Sequence, residues 1–207
     1  MRFYTGIGSR NTPEEILHLM RKLGEVLCDL GWVLRSGGAE GADTAFHEGA
    51  MRSHHYHQVG MEIFLPWNGF NLRDRETSGK FWIPAPWIDN YWEAESIAKT
   101  LHPVWDRLGR GPKALHTRNV YQVLGLDLAT PSRVVLCWAP PIKGGPSVRG
   151  GTNTAVQLAL KYGVPVYNLH IPEIRNRAIR LVTEGVPLSD HQDSPGTKEV
   201  HAEVVGT

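Results

Sequence analysis

Apolar positions change their spacing repeatedly along this chain, and each change marks an element. Residues 2 to 5, Arg-Phe-Tyr-Thr, form a short aromatic and β-branched run that breaks into Gly6-Ile7-Gly8-Ser9-Arg10, as a buried strand feeding a tight turn does. Ile16, Leu19, Met20, Leu23, Val26, Leu27 and Leu30 then recur with a period of about 3.6 residues, which predicts an amphipathic helix ended by Gly31. Thr12-Pro13-Glu14-Glu15 ahead of that stripe carries the residues of a capping box with proline at the first helical position.

The alternation continues. Trp32-Val33-Leu34 reads as a strand opening into Arg35-Ser36-Gly37-Gly38-Ala39-Glu40-Gly41-Ala42-Asp43, and Ala45, Phe46, Gly49 and Ala50 give the next helix a small-residue face. Residues 62 to 66 predict a third strand, residues 118 to 127 a helix, and residues 133 to 138 a strongly β-forming run. Gly150-Gly151-Thr152-Asn153-Thr154 introduces a helix that ends at Gly163, residues 164 to 169 form the last strand, and residues 173 to 182 a final helix. Strands alternating with helices imply βαβ crossovers, so the expected fold is α/β: a Rossmann-like, mostly parallel sheet with helices on both faces. Two segments depart from this rhythm. Residues 67 to 117 hold five of the seven tryptophans and predict a Trp-rich insertion, either an aromatic mini-core of its own or a lid over a ligand. Residues 184 to 207 read as a loose polar tail, leaving a single domain over residues 1 to 183.

Composition narrows the function classes. With 22 Lys and Arg against 21 Asp and Glu, the net charge of +1 argues against a protein that holds nucleic acid by a broad electrostatic field, but permits a small basic groove. No apolar run approaches the roughly 20 residues that span a bilayer, and the first residues carry no signal-like apolar stretch, so a soluble, cytoplasmic protein with no membrane partner is expected. Cys28 and Cys137 are expected to be buried thiols, and His54, His55 and His57 lie in a solvated loop without the spacing of a metal site. No metal and no cofactor is expected.

The chemistry concentrates in three glycine-rich turns. Each follows a predicted strand and precedes a helix, and in a parallel sheet all such turns lie at the carboxyl ends of the strands, where open α/β sheets bind ligands. Glycine permits close approach of backbone to an anion, and the N–H groups of a helix start favour negative charge. The candidate ligand-binding residues are Gly6, Gly8, Ser9 and Arg10 in the first turn; Arg35, Ser36, Gly37, Gly38, Gly41 and Asp43 in the second; and Arg149, Gly150, Gly151, Thr152, Asn153 and Thr154 in the third. His116 and Arg118, in a polar cluster immediately before a predicted helix, are added as further contacts. None of the turns is a P-loop, and the first lacks the third glycine of the dinucleotide fingerprint. Glu40 and Asp43, three residues apart, are the candidate catalytic carboxylates, with Asp43 equally suited to hold the turn and His47 one helical turn beyond it.

These motifs resemble a known group. The run from Ser36 to His47 resembles the Ser-Gly-x-Ala-Arg-Gly-x-Asp-x-x-Ala-His signature of DprA/Smf proteins, and Gly8-Ser9-Arg10 their Gly-Ser-Arg motif. The third turn resembles the Gly-Gly-x-Gly-Thr phosphate loop of the Lonely Guy hydrolases, members of the same SLOG superfamily. The nearest likeness is to the short stand-alone DprA-like proteins of bacteria and phages. That resemblance implies a Rossmann-like sheet that binds nucleotides, and for DprA itself single-stranded DNA. Two departures qualify it: Glu40 stands where the signature has arginine, which sets an anion at the mouth of the expected site, and Gln157 stands at the position of the hydrolases' glutamate. Three functions remain open at this point. They are DprA-like binding of a nucleotide, a nucleotide-derived ligand or single-stranded DNA; an N-glycosidase or phosphoribohydrolase reaction on a nucleoside 5′-monophosphate through Glu40 or Asp43; and sequestering of a nucleotide second messenger without chemistry. A homo-oligomer is compatible with each.

Overall fold

The computed structural model of the chain describes residues 1–71, 82–142 and 145–188. Six strands form one sheet: β1 (Arg2–Gly8), β2 (Trp32–Ser36), β3 (Met61–Leu65), β4 (Trp82–Pro84), β5 (Val134–Trp138) and β6 (Val166–Asn168). Their order is β4-β3-β2-β1-β5-β6, and every neighbouring pair is parallel. The chain therefore winds outward from β1 in one direction as far as β4, then returns to the other side of β1 to place β5 and β6. The reversal falls between β1 and β5, and such a switch point opens a crevice at the carboxyl ends of the two strands. The α/β, Rossmann-like expectation holds.

The helices are α1 (Glu14–Asp29), α2 (Ala42–Arg52), the single turn α3 (Tyr56–Val59), α4 (Tyr91–Leu101), α5 (Arg110–Leu124), α6 (Thr152–Lys161) and α7 (Pro172–Glu184). Alternation along the strands sorts side chains between two cores, because successive residues of a strand point to opposite faces. Tyr4, Leu34, Ile63 and Leu136 pack with α1, α2 and α7, whereas Ile7, Phe64, Val135 and Cys137 pack with α4, α5 and α6. Both cysteines are buried thiols, and burial pushes Cys137 up to about 12.

Three local expectations are corrected. β1 runs on to Gly8, so Gly6 and Gly8 belong to the strand rather than to the turn: a Cβ at Gly6 would lie 2.7 Å from the Phe46 ring, and one at Gly8 would lie 2.7 Å from the Ala42 Cβ. The capping box does not form: Pro13 is the N-cap of α1, no side chain caps the helix, and the Thr12 hydroxyl donates to the Ser9 carbonyl at 2.7 Å. Finally, α5 begins eight residues before the predicted residue 118, at Arg110, so His116 and Arg118 stand within a helix and not ahead of one. Pro112 falls in its first turn, where a missing N–H costs nothing.

The Trp-rich segment contributes to the sheet and to its second face. β4 extends the sheet beyond β3, and Ala94 and Ala98 of α4, with Trp105, are buried in the core shared with α5 and α6. Its described part thus joins the main core instead of building a separate aromatic one, and the small alanines let α4 pack closely there. Trp87 and Trp92 remain on the surface. Residues 72–81, and the part of the expected tail from residue 189 onward, lie outside the described residues.

Candidate functional site

A cavity of about 570 Å³ opens at the switch point, lined by the end of β1, by α5 from Pro112 to Gln122 and by the turns that precede α2 and α6. Its organising group is Asp43, at the start of α2 and 3% exposed. One carboxylate oxygen accepts the Gly8 N–H at 3.2 Å; the other accepts the N–H groups of Gly37 at 3.2 Å and Ala39 at 3.5 Å. A single side chain thereby ties the end of β1 to the turn after β2. Burial raises the Asp43 carboxyl above its usual range, and Arg118 together with the three N–H donors opposes that rise.

Arg118 lies opposite. Its Nη1 is 3.6 Å from Asp43 Oδ2, and its guanidinium carbon is 6.0 Å from the centre of the Phe70 ring. The residue is 5% exposed, and its Nε is buried with no hydrogen-bond partner. Burial lowers its affinity for a proton, Asp43 offsets part of that, and Arg10 adds repulsion. An arginine cannot shed its charge at ordinary pH, so an unused donor in this position is an unmet demand for an anion. Arg10 and Arg149 are exposed at the rim, which sets three guanidiniums against one carboxylate around the cavity. The start of α6 borders the cavity at Gly150, Gly151 and Thr152, with no side chain capping its first N–H groups.

Two glycines are required by contact. A Cβ on Gly37 would overlap the Arg118 guanidinium and the Gln122 amide. Gly41 has φ +79°, and a Cβ there would come within 2.9 Å of the Ser9 and Arg10 backbone, so the first and second turns meet at it.

Of the sequence-predicted residues, Gly8, Ser9, Arg10, Asp43, His116, Arg118, Arg149, Gly150, Gly151 and Thr152 come together around the cavity. The others support or stand apart. Gly37, Gly38 and Gly41 shape the second turn behind the lining. Ser36 donates its hydroxyl to the Gly6 carbonyl at 2.6 Å, between β2 and β1. Asn153 accepts the Val148 N–H at 3.0 Å, which closes the third turn. The Thr154 hydroxyl lies 2.7 Å from His116 Nδ1. Arg35 is away from the cavity altogether: it pairs with Glu62 at 2.6 Å, donates to the Thr130 carbonyl and stacks on Phe3. Glu40 is exposed and outside the lining, so the carboxylate expected at the mouth of the site is not there. Gln157 is likewise outside it, with its amide donating to Ser147.

Sequence reasoning missed Pro112, Leu115, Asn119 and Gln122 as lining residues. Their spacing, 112, 115, 119 and 122, is that of one helix face, which begins before the helix expected from residue 118. Asn119 donates to the Gly151 carbonyl at 2.9 Å and so joins α5 to the third turn. Among the described residues, no group of His, Cys, Asp and Glu could hold a metal ion, and no helix is long and apolar enough to cross a membrane.

Residues 2–61, which carry the first two turns, match the family of DNA recombination-mediator protein A. No curated protein matches the chain. Among solved structures, DNA processing protein A from Helicobacter pylori, described for its single-stranded DNA binding mode, aligns over 80% of this chain at 18% identity and a TM-score of 0.44. The present chain spans 63% of the length of that protein. The Moco carrier protein of Chlamydomonas rheinhardtii aligns over 89% of this chain and 86% of its own, at 19% identity and a TM-score of 0.45.

Proposed function

We propose that this protein binds a phosphate-bearing nucleotide ligand, either a free nucleotide or nucleotide-derived molecule or the end of a DNA single strand, at the switch-point cavity. The observation that carries this is Arg118: a buried guanidinium that lines the cavity, is held on one side by Asp43 and has an Nε without a hydrogen-bond partner. The rim arginines and the start of α6 supply the remaining donors for a phosphate. The family match over residues 2–61 supports the same reading, since that stretch contains the first two turns and α2. The hydrolytic alternative draws no support from the geometry, because both Asp43 oxygens are committed to backbone N–H groups and Glu40 lies off the cavity.

Isothermal titration with adenosine 5′-monophosphate and with adenosine tests the reading, and mass spectrometry of the denatured protein identifies any nucleotide that co-purifies. The monophosphate is expected to bind and the nucleoside to bind at least tenfold more weakly, with Arg118→Met removing the difference. Equal affinities for the two compounds would overturn the proposal.

A further inference from the structure

The cavity is larger than an anion needs, and its lining is mixed in chemistry. Beside the arginines and the start of α6, Pro112, Leu115 and His116 of α5 supply an uncharged stretch. We infer that this stretch seats the flat heteroaromatic ring of the ligand, and that His116 is the side chain that selects it. The inference rests on the phosphate reading above and extends it to the ligand's other end.

Three observations support it. The His116 ring is fixed: Nδ1 lies 2.7 Å from the Thr154 hydroxyl, and the rings of His102 and Trp105 back it at centroid distances of 4.5 and 6.4 Å, inclined by 52° and 59°. A ring pinned by neighbours loses little entropy when another ring stacks on it. His116 is also neutral, because burial, His102 and Arg118 push it down to about 4, so it brings no charge to compete with the arginines for the phosphate. A neutral aromatic face suits a neutral base, and every base has a π-face that can stack on it. Third, a volume of about 570 Å³ lies well within the range of small-molecule sites, roughly 300–1,000 Å³, and leaves most of the space unused by a phosphate alone.

Thr154 acts as the positioning residue, since it holds the ring edge from the first turns of α6. The two helices are joined a second time at Asn119 and Gly151, so the uncharged stretch and the start of α6 keep a fixed relation.

The test compares ribose 5-phosphate with the four common nucleoside 5′-monophosphates by titration calorimetry, on the unaltered protein and on His116→Ala, His116→Phe and Thr154→Val. For the unaltered protein, the best nucleotide is expected to bind at least tenfold more tightly than ribose 5-phosphate. His116→Ala reduces that ratio to threefold or less while leaving ribose 5-phosphate affinity within twofold, and His116→Phe restores it. Thr154→Val lowers the ratio partway and serves as the second variant should His116→Ala fail to fold. A ratio that survives in His116→Ala, or an equal loss for both ligands, overturns the inference while the phosphate site stands. Failure of ribose 5-phosphate and of all four nucleotides to bind the unaltered protein overturns the phosphate reading, and the ring seat with it.

Discussion

Gly37 is the position at which fold and site make the most demanding claim on one another. It does not have a positive φ, so alanine meets no backbone penalty there, and any effect of Gly37→Ala comes from what the new methyl touches. It would touch the Arg118 guanidinium, which is enclosed by Asp43, Phe70 and the Phe64 carbonyl and can yield only by moving out into the cavity. At the Asp43 separation of 3.6 Å and an effective dielectric constant of about 20, the attraction forfeited is about 5 kcal/mol before solvation. Rehydration of the guanidinium in the open cavity returns roughly half of this, which leaves about 2–3 kcal/mol, within the range of about 1–3 kcal/mol found for overpacked sites. The assay is a double-mutant cycle by urea denaturation with Arg118→Ala, which removes the obstacle and opens room for the Gln122 amide. Gly37→Ala is expected to cost about 2–3 kcal/mol in the parent and less than about 1 kcal/mol beside Arg118→Ala, with the denaturant slope unchanged. Equal costs in the two backgrounds would refute the claim that glycine is there to admit the arginine.

Asp43→Asn sets an amide nitrogen against backbone donors that now face a carboxylate oxygen and leaves Arg118 without its counter-charge, so a loss of about 3–5 kcal/mol is expected in urea melts; a loss below about 1 kcal/mol would contradict the organising role. Arg35→Met breaks the pair with Glu62, whose side chain is 22% exposed, and should cost about 2–3 kcal/mol while nucleotide affinity stays within twofold; a larger change in affinity would return Arg35 to the site. His116 is pushed down from 6.5 to about 4 on folding, so between those values the unfolded chain binds more protons and stability falls as the pH falls. His116→Phe should flatten the melting temperature against pH in that window, and an unaltered slope would show that another group sets it. With three arginines at the cavity, binding of a short DNA strand should follow salt with a logarithmic slope no steeper than about −2, and a slope beyond about −4 would require a longer charged track.

The alternation of elements was legible because long periodic runs, such as the stripe from Ile16 to Leu27, are set by local spacing alone. The convergence of the three turns was legible for a related reason: parallel strands leave all such turns on one edge whatever their detail. What could not be read was pairing at a distance. Arg35 and Arg118 are both arginines beside promising motifs, yet Glu62 and Thr130 engage one of them while Asp43 holds the other at the cavity. Nor does composition show that α5 is buried throughout from Thr117 to Leu124. Arg118, Asn119 and Gln122 are polar because a helix inside a core that borders a cavity needs polar groups on the side that meets it. Thr12 shows the same limit on a smaller scale, since its hydroxyl had a competing acceptor in the Ser9 carbonyl three residues away.

The acidic residue of the second turn has a physical account. Glu40 and Asp43 are only three residues apart, but Gly41 lies between them with φ +79°, and α2 begins directly after it. That reversal directs Asp43 inward, to Gly8 and Gly37, and leaves Glu40 exposed and off the cavity. An anion at position 40 therefore does not alter the ratio of three guanidiniums to one carboxylate that the site presents. The near-neutral charge of the whole chain and the cationic character of its cavity are compatible for the same reason: a few charges in a low-dielectric cleft set the local field, and charges on the outer surface are screened within about 10 Å at ordinary salt. What such a site requires is that its deepest cation be held by a counter-charge when no ligand is bound. Asp43 does this for Arg118, and because the same carboxylate also fixes the first and second turns, the geometry and the charge of the site stand or fall on one side chain.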